Sequence, residues 1–384
     1  MKVYLDNAAT TRLDPRVFAK IKQYFGVKYG NASSIHLFGQ EAYLALKEAK
    51  EIIAKIIGGE SAGLVFTSGA TEANNFIIKG VARANRSEKK NKIIISAIEH
   101  PCVRESAAEL SEEGFEVVIV PVNKEGLVET SSLKKVIDDK TILVSIMAVN
   151  NEIGTIQDIK TMADITHKHG AYFHSDAVQA IPYLDINVKK MGLDFLSLSA
   201  HKFYGPKGVG LAYVKPGIKI KPLIVGGGQE DGYRSGTYNI PGIMGFAYAL
   251  KLAYQERSAY LKKIKALRNY FWNKIKKEIP EVKLNGSMIK RIPANLNIMF
   301  GYVEGEAILI DLSSKGVSVS TGSACSAADL KASSVLSAIG LNKNFLNSNI
   351  RFSLGRYNTK VEIDYTIKCL KDTIKRLRKF SPIK

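Results

Sequence analysis

Seven short runs rich in β-branched and apolar residues recur between about residue 60 and residue 215: GLVFTSG, KIIISAIEH, FEVVIVPV, TILVSIMAVNN, AYFHSDA, FLSLSAHK and GVGLAYV. Helical patterns separate them, notably over residues 72–85 and 158–169, which have helix-like apolar spacing and plausible caps. Strands that alternate with helices bury their apolar faces most simply as a mostly parallel sheet covered by helices on both sides, an α/β fold. From about residue 245 to 278 the pattern changes to one long amphipathic stretch without internal Gly or Pro, and short strands (LNIMF, VSVS) and helices resume beyond it. A smaller α+β domain is expected to begin near residue 250, with no repeat or low-complexity linker to mark the boundary.

In open α/β sheets ligands collect beyond the carboxyl ends of the strands. The segment LSLSAHKFYGPKGVG puts Ser199, His201 and Lys202 at such an end, just before a Gly/Pro-rich loop. A lysine there, beside an imidazole and a hydroxyl, can bond covalently to a carbonyl cofactor if its surroundings favour the neutral amine. Taken alone it would read as a surface lysine. Upstream, AYFHSDAVQA places Asp176 at the end of another run with Gln179 three residues later. A carboxylate held there could pair with a protonated pyridine nitrogen, although by itself it could equally cap a helix. The third element, FTSGATEANN, is a strand, a small-residue turn and a helix start, exposing the backbone amides of Gly69, Ala70 and Thr71 as a phosphate cradle. It lacks the Walker lysine and the Rossmann glycine spacing, which argues against a nucleotide.

Composition narrows the classes. The 384 residues, 46% hydrophobic, can supply a substantial core. Three cysteines (Cys102, Cys325, Cys369) lie far apart, without a CxxC pair or metal-ligand spacing, which predicts a reducing cytoplasm and no metal site. Cys102 and Cys369 read as inert buried thiols. MKVYLDNAATT turns polar too soon for a signal peptide, and no stretch approaches the roughly 20 apolar residues of a membrane span. The formal charge of +19 would attract acidic partners, but much of it lies in helix-like residues 262–277 and 371–379, where a solvated helix face is the simpler reading. Direct nucleic-acid binding is therefore not expected.

Together these segments resemble the class V group of fold-type I pyridoxal-phosphate enzymes, and within it the NifS/IscS-type cysteine desulfurases. The resemblance runs nearly end to end: YLDNAATT, NASSIH, FTSGATEANN, the IEH ending at His100, VNNEIG, HSDAVQ, SAHKFYGPKG, GGGQEDGYRSGT, STGSACS and IRFSLGR occur in order. Ala32 stands where the family commonly has proline. The SGSAC-type loop resembles the NifS/IscS branch rather than the SufS branch.

The resemblance implies a large cofactor-binding domain over residues 12–250, with a seven-stranded sheet, and a small domain made of residues 1–11 and 251–384. It implies pyridoxal phosphate on Lys202, Asp176 at the pyridine nitrogen, His100 stacked on the ring and catalytic there, Gln179 at the phenolic oxygen, and Asn151 against the cofactor as well. Ala70, Thr71, Ser199 and His201 would hold the phosphate. The family is dimeric, and Thr237 of the RSGT motif would reach the phosphate in the neighbouring subunit. Arg351, with Asn151 nearby, would hold the substrate carboxylate, a task that suits a guanidinium; without the family, Arg351 could be a structural ion pair. Cys325, in a Ser/Ala/Gly-rich stretch that suits a mobile surface loop, would take sulfur from L-cysteine as a persulfide and leave alanine. The sulfur would pass to an IscU-like iron–sulfur scaffold, with tRNA thiolation as another outlet; Cys325 would then touch a nascent cluster on that partner. Two rivals remain open at this point: a related class V lyase or aminotransferase with no use for Cys325, and a docking and sulfur-relay platform without turnover of its own.

Overall fold

The computed structural model describes residues 1–321 and 333–381. All seven apolar runs form strands of one sheet: Leu64–Thr67, Lys92–Ser96, Glu116–Val120, Thr141–Ser145, Tyr172–Asp176, Phe195–Ser199 and Gly210–Val214. Across the sheet the order is Leu64–Thr67, Gly210–Val214, Phe195–Ser199, Tyr172–Asp176, Thr141–Ser145, Lys92–Ser96 and Glu116–Val120. Gly210–Val214 runs antiparallel to both its neighbours, and every other pairing is parallel.

Alternation along each strand divides its side chains between two faces. Leu64, Phe66, Ile94 and Val144 enter one apolar core, shared with the helices Leu37–Ile57, Ile159–Lys168 and Ile240–Gln255. Val65, Ile93, Ile95 and Leu143 enter another, under Ala70–Asn85 and Pro101–Glu112. Burial on both faces explains why these strands read as continuous apolar runs, the edge strand Glu116–Val120 excepted, where Ile119 is exposed. The helices start where the sequence supplies caps: Asp158 accepts from the Thr161 amide, and His100 precedes Pro101.

A separate apolar core gathers Tyr260, Phe271, Leu296, Phe352 and Leu370 with Val3 and Leu5 from the start of the chain. Its sheet is antiparallel, in the order Asn349–Ser353, Asn295–Phe300, Val282–Leu284, and the helices Arg257–Glu278, Gly305–Ser314 and Lys360–Phe380 accompany it. Val3–Tyr4 pairs in parallel with Val317–Ser318, which ties the N-terminal segment to this region.

The single amphipathic stretch expected over 245–278 is two helices. The first starts earlier, at Ile240, because Asn239 caps it and Pro241 sits in the first turn, where a missing N–H costs nothing. It ends at Gln255, and the second begins at Arg257. The intervening Glu256 carboxylate is held by Arg16 and Arg356, which pins the junction. The two basic segments fall on the helices Arg257–Glu278 and Lys360–Phe380, which exchange ion pairs such as Lys371–Glu278.

Candidate active site

Asp176 ends its strand only 5% exposed. A carboxylate so deeply placed needs donors. The Val178 amide donates to Oδ1 at 3.0 Å and the Asn74 side chain to Oδ2 at 2.8 Å. Asn74 comes from the helix that follows the FTSGATEANN turn, so two of the three segments singled out from sequence meet here.

The third joins through the N-terminal segment. Lys202 lies in a single turn after the Phe195–Ser199 strand, and its Nζ donates to the carbonyls of Ala8 at 2.5 Å and Ala9 at 2.8 Å. Gln179 Nε2 donates to the same Ala8 carbonyl at 2.9 Å. His201 lies 3.1 Å, through Nδ1, from the Thr10 hydroxyl, and its backbone carbonyl accepts from the Thr11 amide and hydroxyl. Burial, with Lys202 and Lys207 adding, pushes the His201 imidazole down to about 4, so it is neutral at pH 7.

His100 caps the helix Pro101–Glu112, its Nδ1 accepting from the Cys102 amide at 3.2 Å. Burial lowers its pKa; Asp176 opposes that, while Lys202 and Arg104 reinforce it. His100 therefore lies within electrostatic reach of both Asp176 and Lys202. Cys102 is only partly buried, and it is more than an apolar filler: its sulfur is 3.0 Å from His100 Nδ1 and 3.1 Å from Asn74 Nδ2. Cys369 is buried in the second core, as expected. Sequence reading missed Asn74 and Cys102. The only signal for either is position, Asn74 one helical turn past the phosphate-type turn and Cys102 two residues past His100.

At that turn, Ala70 and Thr71 open a sixteen-residue helix, where first-turn amides have no intrahelical acceptor. Glu72 bonds the Ser68 amide at 2.8 Å and pairs with Arg234 at 2.8 Å, tying the turn to the segment that carries Thr237. Gly210, paired opposite Thr67 and Ser199, must be glycine because a Cβ there would sit 2.5 Å from the Gly69 carbonyl carbon. Ser199 is buried beside it. Thr237 is exposed and lines a cavity of about 230 Å³ with Thr67, Ser68, Gly208 and Arg234.

Arg351 comes from the antiparallel sheet and is 2% exposed. Its Nη1 donates to the Asn151 carbonyl at 3.0 Å and its Nη2 to Asp6 Oδ1 at 2.9 Å. Its backbone pairs with Ser320, and Glu152, next to Asn151, accepts from the Ser333 hydroxyl at 2.6 Å. Cys325 lies outside the described residues.

The arrangement fits pyridoxal phosphate: an amine, a buried ionisable carboxylate, a neutral imidazole and a helix start with a glycine-narrowed approach surround one place. Asn74 Oδ1, fully buried and without a hydrogen-bond partner among the described residues, adds an orphaned polar atom beside it. The model of the family described as aminotransferase class-V matches residues 3–366. The chain belongs to the class-V aminotransferases. They are pyridoxal-phosphate enzymes of fold-type I. Among class-V relatives, cysteine desulfurase IscS of Dictyoglomus turgidum is 48% identical, the alignment covering all of this chain and 97% of the relative. A solved NifS-like protein superposes with a TM-score of 0.93 at 40% identity, covering 98% of this chain and all of that one. The structure of SspA in complex with cysteine gives a TM-score of 0.83 at 35% identity, covering 93% and 100%.

Proposed function

We infer that this class-V enzyme is a cysteine desulfurase that converts L-cysteine to L-alanine and carries the sulfur as a persulfide on Cys325. The observation that carries this reading is the meeting of Lys202 and Gln179 on one carbonyl, Ala8, in a site that also holds Asp176 and His100. Lys202 would hold the cofactor and Asp176 its ring nitrogen. His100 would stack on the ring and Gln179 bond the phenolic oxygen. Ala70, Thr71, Ser199 and His201 would take the phosphate. Bound pyridoxal phosphate supplies an electron sink when the Cα–H bond of the amino acid breaks.

The remaining steps belong to side chains. The guanidinium of Arg351, with Asn151, orients the substrate carboxylate. Lys202, as the free amine, takes the α-proton. The Cys325 thiolate attacks the substrate sulfur: an S–S bond forms, the Cβ–S bond breaks, and its electron pair passes to the carbon skeleton, which is protonated and leaves as alanine.

Large exposed apolar side chains at Phe25, Val27, Tyr29, Ile35, Leu37 and Phe38 favour a homodimer, in which the exposed Thr237 would serve the neighbouring subunit's cofactor. The charge of +19 suits an acidic sulfur acceptor, such as an IscU-like scaffold or a tRNA-thiolation partner protein. Free thiols at Cys102 and Cys369 suit the cytoplasm, and no helix among the described residues is long and apolar enough to cross a membrane. The two sets of cores support a division into residues 12–250 and residues 1–11 with 251–384.

Purified protein incubated with cysteine should form alanine and a cysteine-dependent persulfide visible by mass spectrometry. Lys202→Ala should lower alanine formation by about 10²–10⁴-fold, and Cys325→Ala should abolish the persulfide. Cysteine-dependent sulfide release that survived Cys325→Ala would overturn the persulfide assignment.

A further inference from the structure

Four polar groups form a continuous line through the site. The Asp176 carboxylate accepts from Asn74 Nδ2 at 2.8 Å, the same nitrogen lies 3.1 Å from Cys102 Sγ, and Sγ lies 3.0 Å from His100 Nδ1. The direction of each bond follows from chemistry. A carboxylate can only accept, so the Asn74 nitrogen must face Asp176, and its second hydrogen is available to sulfur. The His100 end is fixed by the Cys102 amide, which points at Nδ1 from 3.2 Å. A hydrogen on Nδ1 would confront that amide hydrogen, so Nδ1 is an acceptor. The thiol, accepting from Asn74, has its own hydrogen left for Nδ1, whose one lone pair it shares with the amide hydrogen as a three-centre bond.

We infer that Cys102 is a positioning residue whose thiol, aligned by Asn74 from Asp176, holds the His100 imidazole as the neutral tautomer with its hydrogen on Nε2. This rests on the reading above only in setting His100 against the cofactor ring. It links the residue at the ring nitrogen to the residue stacked on the ring, so a change at Asp176 reaches His100 through two side chains. The thiol keeps its hydrogen: burial and then Asp176 push Cys102 up to about 12, with Glu99 adding, against the smaller opposing effects of Asn74 and Thr71. The groups acting on His100 are Asp176, which favours its protonation, and Lys202 and Arg104, which oppose it. A hydrogen bond donated to the neutral ring adds to the opposition.

The test is nitrogen NMR of cofactor-free protein labelled at its six histidines, with His100 assigned through His100→Gln. Wild type should show an unprotonated, hydrogen-bonded Nδ1 and a protonated Nε2. In Cys102→Ala the Nδ1 signal should move downfield toward the free-acceptor position and the His100 pKa should rise. Cys102→Ser, which keeps a donor of nearly the same reach, should restore both. A protonated Nδ1 in wild type, spectra identical for wild type and Cys102→Ala, or a serine variant that behaves like alanine would each overturn the assignment. The wild-type tautomer decides the matter even if the alanine variant does not fold. Alanine formation from cysteine by wild-type holoenzyme, measured alongside, tests the desulfurase reading separately, since the tautomer is read without cofactor.

Discussion

The two halves of the proposed site, one around Asp176 and Lys202 and the other around Arg351, are built in different ways. Asp176 ends a strand of one mostly parallel sheet, and Lys202 and the Ala70 turn follow two others, so their backbones are fixed by a single ladder. Arg351 instead sits in the middle of an edge strand of the antiparallel sheet. Its charge is met by Asp6 and Asn151, which are 345 and 200 residues away in the chain. In the first half one sheet sets the backbones, and remote partners, Ala8 for Lys202 and Gln179 and Asn74 for Asp176, only complete it. The second exists only when three remote segments are brought together, so its geometry depends on the second core that carries the strand.

The sharpest way to break this contrast is to loosen that core alone. Phe352 adjoins Arg351 in sequence and packs edge-on against Phe271 at 5.0 Å and Phe300 at 6.5 Å. Phe352→Ala should cost about 3–5 kcal/mol. The sole tryptophan, Trp272, packs against the same core and reports on it by fluorescence, while the visible absorbance of bound cofactor reports on the other half. In urea the tryptophan transition should move to lower concentration ahead of the absorbance transition. Equal displacement of the two would mean that the halves unfold as one unit.

A smaller effect is expected at the guanidinium itself. Arg351→Lys keeps a charge but cannot supply two parallel N–H donors while holding Asp6. A loss of about 1.5–3 kcal/mol of charged hydrogen bonding, roughly 10–100-fold in kcat/KM for cysteine, should leave the cofactor absorbance unchanged. A displaced absorbance band would show that the two halves are not separable.

The same contrast explains how much the sequence disclosed. Strand-end residues are legible because a parallel sheet puts them in one place whatever else the chain does, and all seven strands were readable as apolar runs. The Ala8 carbonyl that receives both Lys202 and Gln179 was not, because a backbone acceptor leaves no mark on residue type. Asn74 and Cys102 escaped for a related reason: a buried amide and a thiol acquire their roles from Asp176 and His100, which lie on other elements. Asp6 was visible only inside a motif, and its ion pair with Arg351 could not be found by spacing. The break at Glu256 likewise depends on Arg16 and Arg356, not on a Gly or Pro in the helix.

The finest distinction concerns two buried glutamates, one in each half. Glu99 is pushed up to about 8, first by burial and further by Asp176, against the Ser96 hydroxyl and the Met147 amide. Glu152 is also raised by burial, but the Ser333 hydroxyl, Arg351 and Arg104 all act to lower it. A carboxyl that keeps its proton in the folded state stabilises the fold fully below its ordinary value, and that contribution fades as pH rises through the folded value. For Glu99 the decline runs from about 4.5 to about 8. Replacement by Gln removes the titration while preserving shape. Glu99→Gln should therefore flatten the fall of the urea midpoint across that window, and Glu152→Gln should flatten it less, because Arg351 already compensates that carboxylate. Equal flattening would mean that the charge partners in the two halves are equivalent, and the asymmetry between the half around Asp176, lined by carboxylates, and the half built around the Arg351 cation would lose its electrostatic basis.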